Sequence, residues 1–149
     1  MRLVVQRVKS ARVSIGTNIV GSIDMGLFVL IGVGEGDTKR DSQALAEKLS
    51  KLRIMSDKAN KMNLSVADTK SQILVVSQFT LYADLQGGNR PSFIDAKDPK
   101  GAKILYDYFI KVLKDKGIDV QSGSFGEYMK IVADLDGPVT IVMDSKEIK

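Results

Sequence analysis

The segment Val75–Asp84, VVSQFTLYAD, runs from an apolar stretch into two hydroxyls and an amide. Ser77 and Thr80 carry the side chains of nucleophiles, and Gln78 between them offers both donors and an acceptor. A hydroxyl ordinarily needs an adjacent base before it attacks. This chain of 149 residues has no histidine and no cysteine. Ser-His-Asp triads, cysteine nucleophiles, thiolate zinc sites and histidine-ligated metals are therefore excluded together. Carboxylates can hold a hard cation without either residue. No tight Asp/Glu cluster demands one, so the expectation is no metal and no cofactor. The chemistry left is that of positioning. Ser77, Gln78, Phe79 and Thr80 sit where a strand runs out, a place where a scaffold fixes functional groups. Backbone N–H groups there can hold an oxyanion. The structural alternative is a strand end whose hydroxyls satisfy nearby backbone.

Three further segments carry usable chemistry. Asn89–Phe93, NRPSF, puts a cation and an aromatic in a proline-stiffened loop. It could contact phosphate and stack on a base, or pin the loop to the core through Phe93. Asp136–Thr140, DGPVT, opens the last strand; Gly137 reaches unusual backbone angles and an X–Pro bond can be cis, though a plain turn is the default. Gly32–Gly36, GVGEG, lies between a strand and a helix as phosphate loops do. It matches neither the dinucleotide nor the P-loop spacing, and Glu35 would repel a phosphate, so it reads as a structural turn. Lysines around the second helix, among them Lys103, Lys111 and Lys114, form either a basic face for phosphate or an ordinary solvated surface.

The elements that must position these groups follow from periodicity and punctuation. Residues 2–9 read as a strand, and 11–16 with 19–23 as a hairpin around Thr17-Asn18. The apolar run Leu27–Val33 predicts a central strand. Leu45, Leu49, Leu52 and Met55 recur at helical steps and predict a helix over 39–54, supported by a Glu47–Lys51 pair. Residues 56–69 read as loop with a short strand near 62–66, 73–79 as a buried strand, and 84–98 as a long surface loop. Asp98, Pro99 and Gly117 cap, open and close a second helix. Strands are expected at 118–122, 128–133 and 138–144. The order lacks steady βαβα alternation and predicts an α+β fold: a mostly antiparallel sheet or barrel with two packed helices.

Length bounds the rest: residues 1–149 are expected to form one domain. No apolar run approaches the ~20 residues that span a bilayer, so no membrane partner is expected. The opening MRLVVQRVKSARV has no signal-peptide core, which makes the cytosol the expected compartment. The formal net charge of +4 favours an anionic partner only mildly.

Taken together, the opening MRLVVQRV, the segment VVSQFTLYAD, the loop NRPSF, the stretch Phe125-Gly126-Glu127-Tyr128-Met129 and the terminal GPVT resemble the D-aminoacyl-tRNA deacylase family, in order and spacing, across essentially the whole chain. Ser-Gln-Phe-Thr and Gly-Pro-x-Thr are the specific segments. The resemblance implies hydrolysis of the ester joining a D-amino acid, or a mischarged glycine, to the terminal adenosine of tRNA. It implies a homodimer whose sites lie at the subunit interface. It implies a cis Gly137–Pro138 segment that enters the partner's pocket as the chiral filter, with Arg7 holding that segment through the Gly137 carbonyl. Ser77, Gln78, Phe79 and Thr80 would line the site beside the ester, and Phe125 and Met129 would wall the pocket. The family pattern has Asn where this chain has Leu135, and Glu127 and Gly87 also depart from it. An aminoacyl ester is already activated and brings its own ribose 2′-OH, so hydrolysis driven by backbone donors and assisted by substrate needs no histidine. Thr80 as a nucleophile is the alternative mechanism, and a non-catalytic RNA-binding module the alternative function.

Overall fold

The computed structural model describes residues 1–148. Eight strands and three α-helices are described, in the order β1 (Arg2–Ile15), β2 (Asn18–Ile23), β3 (Gly26–Gly32), α1 (Lys39–Ser50), β4 (Met55–Ser56), β5 (Met62–Leu64), α2 (Val66–Thr69), β6 (Gln72–Ser77), α3 (Pro99–Asp115), β7 (Asp119–Ser122) and β8 (Lys130–Asp144). A 3₁₀ turn over Phe79–Tyr82 follows β6, and another over Ser145–Glu147 follows β8.

The expected strand and hairpin at the N-terminus are one long antiparallel hairpin. β3 pairs with Arg2–Val8 of β1, and β2 continues the same register along Ala11–Ile15. The hairpin bends where Lys9 and Ser10, both exposed, face Asp24 and Met25. The bend changes which side chains point inward. Leu3 and Val5 belong to the cluster under the helices, whereas Val8, Ala11 and Val13 belong to a second cluster on the other side of the sheet. Beyond the bend β2 curls toward β7, and a Cβ at Gly21 would lie 2.7 Å from the Ser122 carbonyl oxygen. The mixed sheet is thereby nearly closed into a barrel.

The sheet order is β2-β1-β3-β6-β7, with β8 on the other edge of β1. The sheet, expected to be mostly antiparallel, is mixed: β1 pairs antiparallel with β2, β3 and β8, whereas β3, β6 and β7 run parallel. Parallel neighbours need long crossovers, and α1 and α3 lie within those crossovers. Both pack on one face, where Leu45, Leu49, Leu105, Phe109 and Leu113 meet Val29, Ile31, Ile73 and Val75. Leu74 and Val76 fill the barrel side. Burial on both faces explains why β6 reads as an unbroken apolar run. α1 stops at Ser50, short of the expected 54, so Glu47 makes its helical contact backward, accepting from the Gln43 amide at 3.0 Å. α3 begins as expected: the Asp98 carboxylate accepts the Gly101 N–H at 2.9 Å, and Gly117 at φ 79° lies just past its end.

One buried polar cluster ties the strand ends together. The α-ammonium group of Met1 donates to Asp37 at 2.6 Å and to the Ser145 hydroxyl at 2.8 Å. Asp37 also accepts the Gly34 N–H at 2.5 Å and the Tyr82 hydroxyl at 3.3 Å. Removing one member of a buried ion pair strands the other charge, which typically costs about 3–5 kcal/mol. Asp37→Ala is expected to lose stability on that scale in urea unfolding. Asp115→Ala, which breaks an exposed pair on α3, should leave the midpoint where it is.

Candidate active site

β6 ends because its last ladder bond, Gln78 N–H to the Ile31 carbonyl at 2.8 Å, is followed by a tight turn. Leu81 and Ala83 donate to the carbonyls of Gln78 and Thr80 at 3.3 and 3.1 Å. The strand expected to reach Phe79 therefore stops at Ser77, and Phe79–Tyr82 are 3₁₀. The first N–H groups of such a turn have no acceptor within it. Among the described residues, those of Phe79 and Thr80 find no backbone acceptor elsewhere.

The turn is clamped from beneath. Tyr82 is buried on Asp37, the Arg2 guanidinium lies 4.5 Å from its ring centroid, and Arg2 donates to the Leu81 carbonyl at 2.9 Å. Arg2 is held in turn by Asp144 at 3.2 Å. The GVGEG segment makes room for this clamp. A Cβ at Gly34 would lie 2.6 Å from the Tyr82 ring, and one at Gly32 would lie 2.9 Å from Leu81. Phe79 and Thr80 remain exposed above. The Phe79 ring meets Phe93 edge-on with centroids 4.9 Å apart. Phe93 thus pins the NRPSF loop to the turn, and Arg90 stays exposed.

No base adjoins the hydroxyls. The Gln78 amide donates to Thr80 Oγ1, and among the described residues neither Ser77 nor Thr80 is hydrogen-bonded to a carboxylate or an amine. No group of three or more Asp or Glu side chains among them could hold a metal ion. The second wall comes from the loop after β7. The Gly123 N–H donates to the Val75 carbonyl at 3.0 Å, and the Phe125 ring sits 5.5 Å from Tyr106. Met129 sulfur would touch a Cβ on Gly123 at 2.8 Å. Phe125 and Met129 therefore flank the same strand end as Ser77.

Gly137 and Pro138 lie elsewhere. β8 is continuous from Lys130 to Asp144, joining the two strands expected there. Gln6 faces Thr140 but Val8 faces Leu135, so Asp136–Val139 stand opposite Arg7 alone and bulge outward. The Gly137–Pro138 bond is cis, and Gly137 adopts φ 144°. Arg7 is buried; it donates to the carbonyls of Ile54 at 2.9 Å and Asp136 at 3.1 Å, and to the Ser56 hydroxyl at 3.2 Å. The expected partner was the Gly137 carbonyl. The bulge carries Gly137 away and leaves Asp136, its first residue, within reach; the Asp136 carboxylate adds an ion pair at 3.3 Å. Arg7 is level with Leu27 and Ile73 across the sheet. Ser77 is four residues farther along β6 and three strands away from β8. At ~3.3 Å per residue and ~4.8 Å per strand, that is roughly 13 Å along and 14 Å across. One protomer does not bring the two motifs together.

A tight turn at a strand end and a bulge within the edge strand, on a barrel of this topology, are matched in sequence by a family model. The D-Tyr-tRNA(Tyr) deacylase model covers residues 4–144. The chain belongs to that family. It is 51% identical over 149 residues to a D-aminoacyl-tRNA deacylase of Thermosipho melanesiensis, covering 99% of both chains. It is 49% identical over 148 residues to the protein of that name from Aquifex aeolicus, covering 99% of this chain and 100% of the other. Among solved structures, "c-Myc DNA Unwinding Element Binding Protein" superposes with a TM-score of 0.90 at 35% identity, over 97% of this chain and 98% of the other. A probable eukaryotic D-amino acid tRNA deacylase shares the fold with a TM-score of 0.85 at 17% identity, over 96% and 98%. The family is one of hydrolases.

Two tyrosines frame this end of the barrel and give it an alkaline limit. Burial, then the Asp37 and Asp144 carboxylates, push the Tyr82 phenol well above its ordinary range. Burial pushes Tyr106 up to about 12. An unfolded tyrosine ionises near pH 10. The stability these neutral phenols confer is complete below about pH 10 and is lost as pH rises from there through 12. Urea unfolding across that window should show a falling midpoint, and Tyr106→Phe should flatten part of the fall.

Proposed function

We propose that the protein acts in the cytosol as a carboxylic ester hydrolase, releasing D-amino acids, and glycine from mischarged tRNA, from the terminal adenosine. The observation that carries this reading is the clamped turn. It presents the Phe79 and Thr80 N–H groups at a strand end with no base beside either hydroxyl. Water adds to the ester carbonyl, whose electron pair moves to oxygen and is held by those two donors. A well-placed donor of this kind typically contributes ~2.7–4 kcal/mol. Collapse re-forms the carbonyl and expels the ribose 3′ oxygen, which takes up the proton given up by the attacking water and passed on through the neighbouring 2′-OH. Ser77 and Gln78 orient the ester, and Phe125 and Met129 close the pocket. Thr80 as nucleophile is disfavoured because its oxygen already accepts from Gln78 and no group stands ready to take its proton. A purely RNA-binding role accounts for the charge but leaves the clamped turn without a purpose.

Chiral selection in this reading comes from a second subunit. Gly137 and Pro138 are exposed and too distant to reach their own strand end. Among the described residues β8 pairs only with β1, and it exposes Ile131, Val132, Leu135 and Val142, the last at 70%. A long apolar edge of this kind invites pairing with another chain. A two-fold contact there would let each Gly137–Pro138 segment enter the other pocket reciprocally. Backbone atoms would occupy the space an L side chain requires, a discrimination by exclusion that glycine escapes.

Purified protein should hydrolyse D-tyrosyl-tRNA and glycyl-tRNA and spare L-tyrosyl-tRNA; equal rates on both tyrosyl enantiomers would sink the proposal. Thr80→Ala should stay within about tenfold of the parent. A 2′-deoxy terminal ribose should cost at least about a hundredfold, the lower range for proton-transfer assistance. An acyl group trapped on Thr80 would reverse that assignment.

Sedimentation should give a dimer at micromolar concentration. Val142→Asp with Leu135→Asp should give monomers that no longer turn over D-tyrosyl-tRNA. Fully active monomers would remove the second subunit from the mechanism.

A further inference from the structure

A cleft of about 420 Å³ opens between α3 and the loop after β7. Lys103, Asp107, Ile110 and Lys114 line one side, spaced at helical steps along α3, and Ser122, Ser124 and Phe125 line the other. Lys103 pairs with Asp107 at 2.7 Å. An ammonium has three donors, so the pair fixes its position and leaves further N–H groups to offer. Lys114 makes no ion pair among the described residues. The lining therefore combines a net positive charge with two hydroxyls, the donor set of a phosphate site.

Its location gives the cleft a meaning. Ser122 is level with Val75 on the adjacent strand, and Ser77 lies two residues farther along β6. Side chains at 75 and 77 point to the same face of the sheet, the face that α3 covers. From strand geometry the cleft lies roughly 8 Å from Ser77. Six bonds separate the 5′ phosphorus of a nucleotide from the acyl carbon esterified to its 3′ oxygen, and that path, when extended, spans such a distance. Phe125 is common to the cleft wall and to the proposed pocket. The other basic cleft, with Lys51, Arg53 and Lys116, has no such continuity, and its Arg53 is engaged by Asn63.

From this arrangement we infer that the cleft binds the phosphodiester on the 5′ side of the tRNA's terminal adenosine, with Lys103, Lys114, Ser122 and Ser124 as its donors. The inference rests on the proposed deacylase reading and adds a handle that places the ester at the Phe79–Thr80 turn. It also separates two tasks: the turn acts on the ester, and the cleft measures one nucleotide back from it.

The test uses a fluorescent single-stranded RNA ending in CCA, with the last phosphodiester either natural or replaced by an uncharged methylphosphonate. Anisotropy titrations compare the parent with Lys103→Ala/Lys114→Ala and with Lys51→Ala/Lys116→Ala. The uncharged linkage should weaken binding to the parent about tenfold, the scale of one hydrogen-bonded charge. It should cost the Lys103/Lys114 variant almost nothing and the Lys51/Lys116 variant as much as the parent. An equal loss in parent and Lys103/Lys114 variant, or no loss in the parent, overturns the assignment. The lysines altered are exposed, so unchanged urea midpoints exclude misfolding as the cause. If D-tyrosyl-tRNA is not hydrolysed while the linkage effect holds, the deacylase reading fails and the cleft stands as a site for RNA 3′ ends.

Discussion

One buried carboxylate organises the end of the barrel where β6 runs out. Asp37 receives the Met1 ammonium, the Gly34 amide and the Tyr82 hydroxyl. Those three groups belong to the start of β1, the exit from β3 and the turn after β6. A buried charge is tolerated only when its partners are present and well aimed. The requirement works in both directions: Asp37 fixes where three chain segments meet, and their meeting supplies its hydrogen-bond partners. Tyr82 passes the constraint upward, since its ring fills the space left by Gly34 and its backbone ends the turn that carries Phe79 and Thr80. The exposed face of that turn is rigid because its buried face is anchored.

Much of this was legible in the chain, and the reasons for what was not are physical. The apolar runs at 27–33 and 73–79 and the capping residues Asp98, Pro99 and Gly117 are local signals; they located their elements, though the second strand stops at Ser77. The parallel pairing of β3, β6 and β7 was not local. It depends on α1 and α3 both crossing the same face, which no single segment records. Gly32 and Gly34 suggested a turn but not their actual service, which is to yield room to Leu81 and Tyr82 from a segment some fifty residues on. Arg7 was rightly placed beside the Gly137–Pro138 segment, yet its acceptor is Asp136, because a bulge in β8 is set by pairing with β1. Asp37 gave no sign of its burial; a lone acid in a turn looks solvated. The strand-end residues Ser77–Thr80 stood out as candidates because the absence of histidine and cysteine left few other groups to do chemistry.

The proposed mechanism gives a chain without histidine or cysteine its catalytic means. Oriented amides need no proton transfer to be ready, and they hold their direction only if the backbone around them cannot relax. A 3₁₀ turn pinned by an ion pair, a cation over a ring and an aromatic edge contact supplies that stiffness. The same logic applies to the Gly137–Pro138 bulge, where backbone rather than side chain forms the projecting surface and Arg7 holds its base.

β1 has a consequence of another kind. It passes through both clusters of apolar residues, giving Leu3 and Val5 to one and Val8, Ala11 and Val13 to the other. Neither half of the molecule can therefore open alone without stripping a strand from the other. Such a layout merges what might have been two independent foldons into a single cooperative transition. The slow amide exchange expected of the barrel side and of the helix side would then share one opening event, and damage to either end of the strand would be felt along its whole length.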